Sequence, residues 1–205
     1  MIGFPGVDFA TARHLVIPPA FAPIRWQLGI GRLLERFPFE TNVFCMTRFP
    51  RSENGDEPDP LVKTIELLRA IVGAHGLTLH LASDRQIDDD LLGNVGAYMW
   101  ACQYGIGLLE NRNGSAGLNS NMLIELGSML VTGRRCAILK DHNSPSPPTD
   151  LSGQIYKSVN FQHPGTVAAA VHLWLSEDLA LGQCPDCTPV TASTVGSETS
   201  MLNSC

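Results

Sequence analysis

A three-layer α/β domain built on a mostly parallel, five-stranded sheet is the fold this sequence predicts. Short apolar runs alternate with helix-period segments about five times between residues 42 and 181. The connecting segments are long enough for right-handed crossovers between parallel strands. One segment, 119–134 (NSNMLIELGSMLVTGR), is apolar on nearly every side of a helical wheel, as a helix buried on most faces would be. The chain has 205 residues, 44% hydrophobic and 17% charged, which suits one domain with a substantial core and leaves no room for a second.

The elements follow in order. Residues 1–41 form an N-terminal extension, broken by Pro18, Pro19 and Pro23, in which 24–37 (IRWQLGIGRLLERF) has the pattern of an amphipathic helix packed on the domain. Residues 42–181 are the domain proper. Its first strand is 42–49, ended by Pro50, and a polar loop fills 51–60. Leu61, Ile65, Leu68 and Val72 mark a helix over 61–74. A strand at 77–82, a loop, a helix at 91–102 and a strand at 104–110 come next. Asp88, Asp89 and Asp90 sit where that helix begins, placed to complement its positive end. The apolar helix at 119–134 has Asn119 or Ser120 as its cap and Gly133 as its stop. After it the pattern predicts a strand at 135–140, a short helix at 150–157, a short fifth strand at 158–162 and a last helix at 167–181. From 182 to 205 the composition turns to Thr, Ser and Pro, a flexible tail.

Composition excludes several functions. A formal net charge of −6 argues against a nucleic-acid binder, which needs a basic surface. There is no run of about eighteen apolar residues for a membrane span, and the first residues lack the pattern of a secretory signal. Cys45, Cys102 and Cys136 fall in core elements, as buried thiols do in a reducing cytosol, so a cytoplasmic location is expected. Cys184 and Cys187 form a single CxxC in the tail, without the further ligands of a zinc site or the strand–helix junction of a redox site. No metal site is predicted. Walker, dinucleotide-binding, GxSxG and HExxH patterns are absent. His80 lies within a strand and His172 within a helix, as core or surface residues.

Glu125 is the residue that stands apart. It sits inside the apolar helix, one turn from Met122 and Met129. A carboxylate in such a run is either on a narrow exposed strip, or paired with an Arg, or chemically employed. Ligands of parallel α/β sheets bind outside the carboxyl ends of the strands. Those ends are Arg48 and Phe49 after the first strand, Asp84 after the second and Glu110 after the third. Asn119, Asn121 and Glu125 begin the next helix and face the same crevice.

The run Asn121-Met122-Leu123-Ile124-Glu125-Leu126-Gly127 resembles the N-V-x-x-E-L-G signature of bacterial TIR-like nucleotide-binding domains. The order of first strand, polar loop and Glu-bearing third helix is similar also to nucleoside 2-deoxyribosyltransferases. Thr132-Gly133-Arg134-Arg135, Ile138-Leu139-Lys140-Asp141 and Pro148-Thr149-Asp150-Leu151, with Gly153 and Tyr156, resemble the segments downstream, so the likeness covers roughly residues 42–180. It implies a flavodoxin-like, TIR-like sheet and an enzyme that cleaves the nicotinamide N-glycosidic bond of NAD, as a defence effector would. NAD is then substrate and no cofactor is needed. Glu125 would be catalytic, with Arg48, Phe49, Asp84, Glu110, Asn119 and Asn121 around the substrate. The resemblance also implies a homo-oligomer, a separate sensor or activator, and Arg48 and Arg51 meeting phosphate or a neighbouring chain. A deoxyribosyltransferase-like transfer through Glu125 as nucleophile is the alternative, and a non-catalytic nucleotide sensor or assembly module is the third reading. Deoxyribosyltransferases often place an Asp six residues before the Glu. Here Asn119 stands there, and an amide cannot act as an acid or base.

Overall fold

The computed structural model describes residues 15–48, 59–110, 120–144 and 156–182. Its centre is a five-stranded sheet of order β2-β1-β3-β4-β5: β1 (Asn42–Met46), β2 (Thr78–His80), β3 (Tyr104–Leu109), β4 (Arg135–Asp141) and β5 (Tyr156–Val159). Every pairing is parallel. Around it lie α1 (Gln27–Leu34), α2 (Pro60–Ala74), α3 (Leu91–Ala101), α4 (Ser120–Val131) and α5 (Pro164–Leu173).

Side chains alternate across β1 and so divide the core in two. Val43 and Cys45 join Ile106, Leu108 and Leu139 beneath α2 and α5. Phe44 and Met46 join Leu109 and Ile138 on the other face, beneath α1, α3 and α4. Strands buried on both faces read as continuous apolar runs, which is why these were visible in the sequence. The order 2-1-3-4-5 is the flavodoxin-like one, whose ligand crevice opens where chain direction reverses, between β1 and β3.

Local chemistry sets the ends of the helices. Asp59 caps α2 by accepting from the Leu61 amide (3.1 Å), with Pro60 at the first helical position. Asp90 caps α3 through the Gly93 amide (2.7 Å), and Asp88 accepts from the Asp89 amide, so the acidic triplet does organise this terminus. Gly133, at φ 82°, ends α4 with bonds from its own amide to Leu130 and from the Arg134 amide to Met129, a Schellman arrangement. Arg134 is buried without a carboxylate among the described residues, donating to the Cys102 and Trp100 carbonyls at the end of α3 and lying over the Trp100 and Phe39 rings. The negative end of that helix offsets its charge.

Several boundaries differ from expectation. Pro23 forces a 3-10 turn at Ile24–Trp26, so α1 starts only at Gln27. From residues 15–41, Ala22, Ile30 and Leu33 lie in the second core cluster. Gly96 is the reason α1 and α3 fit: a Cβ there would meet the Trp26 ring at 2.6 Å. The fifth strand begins at Tyr156 rather than Ser158. Of the predicted helix at 150–157, residues 150–155 lie outside the described ones, and Tyr156 and Lys157 pair with Ile138 and Leu139 of β4. The last helix begins earlier than predicted, with Pro164 in its first turn, and ends in a π-helical turn, Trp174–Asp178. That turn puts two successive large residues, Trp174 and Leu175, into the core. The tail from 183 on lies outside the described residues. No helix is long and apolar enough to cross a membrane among the described residues.

Candidate functional site

A cavity of about 180 Å³ opens at the carboxyl edge of the sheet, at the switch between β1 and β3. Its floor is the end of β1, Phe44 to Arg48, and one wall is the turn after β2, Leu81 to Ser83. Leu91 and Val95 of α3 form a second wall, and Asn121, Met122 and Glu125 of α4 a third. The volume is below the ~300 Å³ of a typical small-molecule site, room for a ring or a sugar but not for a whole dinucleotide.

The packing of α4 delivers Glu125 there. Met122, Leu126 and Met129, spaced by four and three, are buried against β3 and the sheet. Ile124 points outward, and Glu125 falls on the flank between them, half-buried, with its carboxylate lining the cavity. Burial alone pushes its pKa up from 4.5 to about 7. Among the described residues no cation or hydrogen-bond donor pairs with it. The remaining polar wall is sparse. Cys45 is held as a thiol, since burial pushes it up to about 12. Asn121 and Thr47 are neutral, and the Thr47 hydroxyl is buried with no partner among the described residues.

The arginine of the site is engaged within the chain. Arg48 grips Asp59 with two parallel bonds, Nη1 to Oδ2 (2.5 Å) and Nη2 to Oδ1 (2.9 Å), and its Nε pairs with Glu110. Asp59 and Glu110 are both buried. Arg48 therefore ties the end of β1 to the start of α2 and the end of β3, holding the cavity floor. The two carboxylates raise its pKa against the opposing effect of burial. Glu110 is thus neither a solvated strand end nor a second carboxylate in the cavity.

Of the predicted site residues, Glu125, Asn121 and Arg48 converge on the cavity. Glu110 supports it through Arg48. Asp84 serves the turn after β2, accepting from the Leu81 amide (2.9 Å) and from Arg69 (2.6 Å). Phe49, Arg51 and Asn119 lie outside the described residues. Reasoning from the sequence missed Asp59, which read as a loop residue. Its only signal was a capping residue just before Pro60. Thr47, Leu91 and Val95 carried no signal beyond their place at element ends. His80, read from the sequence as a core or surface residue, is in the core: burial lowers its pKa to about 4 and its ring bonds Asn42 (3.1 Å). No group of three or more metal-ligating side chains occurs among the described residues. Comparison with family models, curated proteins and solved structures returned no match to this chain.

Proposed function

We propose that the protein is an NAD glycohydrolase that breaks the bond between ribose and nicotinamide, with Glu125 as the catalytic carboxylate. The observation that carries this is a lone carboxylate, desolvated and without a counter-cation among the described residues, lining a cavity at the switch point. In NAD the nicotinamide ring is a cation. When the C–N bond breaks, its electron pair goes to the ring nitrogen and cancels that charge, so the leaving group needs no proton. The ribose is left as an oxocarbenium ion, which an adjacent carboxylate stabilises until water adds. A neutral nucleoside, the substrate of a transferase, must have its base protonated as it leaves. No second acid lines the described walls, and this favours NAD over the transferase reading. The TIR-like resemblance of residues 121–127 points the same way.

The first experiment is incubation with NAD and with a panel of nucleosides, resolving products by chromatography. Free nicotinamide and ADP-ribose support the reading. Base exchange on nucleosides would replace it with the transferase, and an intact nucleotide that only raises the melting temperature would leave a sensor. The pH profile adds a second check. Glu125 acts as the anion, and in the free protein its pKa is about 7. Below that, kcat/KM should fall about tenfold per pH unit, with a plateau above it. A flat profile from pH 5 to 8 would remove Glu125 from the chemistry.

We infer also that the site is completed by a second copy of the chain. Leu91, on the cavity wall, is 67% exposed, and Leu92 of α3 and Ile124 of α4 are exposed too. Exposed apolar side chains on the wall of a cavity suit a neighbouring surface that would exclude water. Specific activity should then rise with protein concentration, in step with size measured by light scattering. Constant specific activity in a strictly monomeric sample would show that one chain holds the whole site.

A further inference from the structure

We propose that the turn leaving β4 is a phosphate subsite, in which Lys140 and Ser144 bind the diphosphate of a dinucleotide. The identity of the dinucleotide rests on the NAD reading above, whereas the anion site stands on its own geometry. Lys140 is buried, 7% exposed, at the carboxyl end of β4. Its ammonium donates to the Asp141 carbonyl (3.1 Å), and no carboxylate pairs with it among the described residues. The one acid next to it in sequence, Asp141, turns its carboxylate to His142 Nδ1 (3.1 Å). An ammonium carries three donors, so two remain for a ligand.

Ser144 supplies the second observation. It too is 7% exposed, and its hydroxyl is buried with no partner among the described residues. Its amide donates to the same Asp141 carbonyl oxygen (2.9 Å) that Lys140 approaches. The Lys140 ammonium and the Ser144 backbone amide therefore cannot be farther apart than those two bonds laid end to end, which puts the two residues at one turn. Burying a charge and a hydroxyl without full partners costs stability unless a ligand supplies them. A ligand with several acceptor oxygens and a negative charge satisfies both at once, and phosphate is the usual one for lysine.

Position decides which phosphate. β4 stands two places from β1 in the sheet, so its exit turn lies roughly 10 Å from the cavity floor along the same edge, at ~4.8 Å per strand. In a dinucleotide the diphosphate begins one methylene beyond the ribose. With the N-glycosidic bond at Glu125, a ligand lying along the edge toward β4 would present its diphosphate to Lys140. The small cavity, which takes only part of a dinucleotide, agrees with such an extended pose.

The test compares NAD with nicotinamide riboside, which has the same bond and no phosphate, and adds inorganic pyrophosphate as a direct probe. Lys140→Met keeps the apolar stem and removes the charge. It should raise KM for NAD about tenfold, leave kcat within about twofold, and leave nicotinamide riboside unaffected. The melting-temperature rise given by pyrophosphate to the parent should vanish. Ser144→Ala should weaken NAD by about threefold and, having removed an unpartnered hydroxyl, should not lower the melting temperature. This second variant keeps the proposal testable if Lys140→Met fails to fold. Equal KM values for NAD in parent and both folded variants would overturn the subsite and leave the glycohydrolase standing. Pyrophosphate binding that depends on Lys140, without cleavage of NAD or the riboside, would keep the subsite and remove the glycohydrolase. No binding of NAD or pyrophosphate to the parent would overturn both.

Discussion

Glu125→Gln should lower nicotinamide release about a hundredfold or more while making the folded protein more stable at about pH 8. Glutamine keeps the size and polarity of the side chain and removes only the charge. The loss of rate follows if the carboxylate stabilises positive charge developing on the sugar. The gain in stability follows from the same burial. A carboxyl group with a pKa of 4.5 in the unfolded chain and about 7 in the folded one binds more protons when folded throughout that interval. Its effect on stability is therefore most favourable below about pH 4.5, is lost as pH rises to about 7, and is constant above. Glutamine does not titrate. The stability difference between variant and parent should be near zero at pH 4.5 and on the order of 2 kcal/mol above pH 7, allowing for water in the cavity. Denaturant melts at several pH values give one readout and product chromatography the other. Opposite signs in the two are the mark of a side chain retained for chemistry at a cost to the fold. Equal nicotinamide release by variant and parent would remove the proposed function. An equal loss of stability and rate would make Glu125 a structural residue.

The sheet and its helices were legible because strands buried on both faces leave continuous apolar runs, and because Asp90 and Gly133 mark helix ends with residues that have few other uses there. The fifth strand was misplaced for a related reason. It is short, and Tyr156 and Lys157 carry no apolar run, so only their pairing with β4 reveals them. Glu125 was legible as an anomaly, one charge in an apolar helix. Its surroundings were not. Arg48, Asp59 and Glu110 are separated by 11 to 62 positions of sequence, and nothing local says that a strand-end arginine will turn both edges of its guanidinium to two buried acids. Asp84 shows the converse. It stands at a strand end like the others, yet a turn amide and Arg69 use it fully. Position along the crevice edge is readable from sequence. Which way a side chain turns there depends on partners brought by other elements.

The second large effect is expected at Arg48, and it separates structural from chemical roles at this site. Arg48→Ala removes the guanidinium that bonds Asp59 and pairs with Glu110, both of them buried. Breaking a buried pair by deleting one partner typically costs about 3–5 kcal/mol, since a buried charge loses that partner without regaining water. Asp59 keeps its bond from the Leu61 amide, so α2 should stay capped while the floor of the cavity loosens. Arg48→Lys should fall between, because an ammonium keeps the charge and cannot make the two parallel bonds to Asp59. Denaturant midpoints for the three proteins at about pH 8 measure this. If Arg48→Ala unfolds at the parent's midpoint while losing affinity for NAD, the guanidinium belongs to the ligand rather than to the floor. If it loses stability, and the surviving folded fraction keeps the parent's KM, Arg48 acts by holding Asp59 and Glu110 in place, and Glu125 carries the chemistry alone.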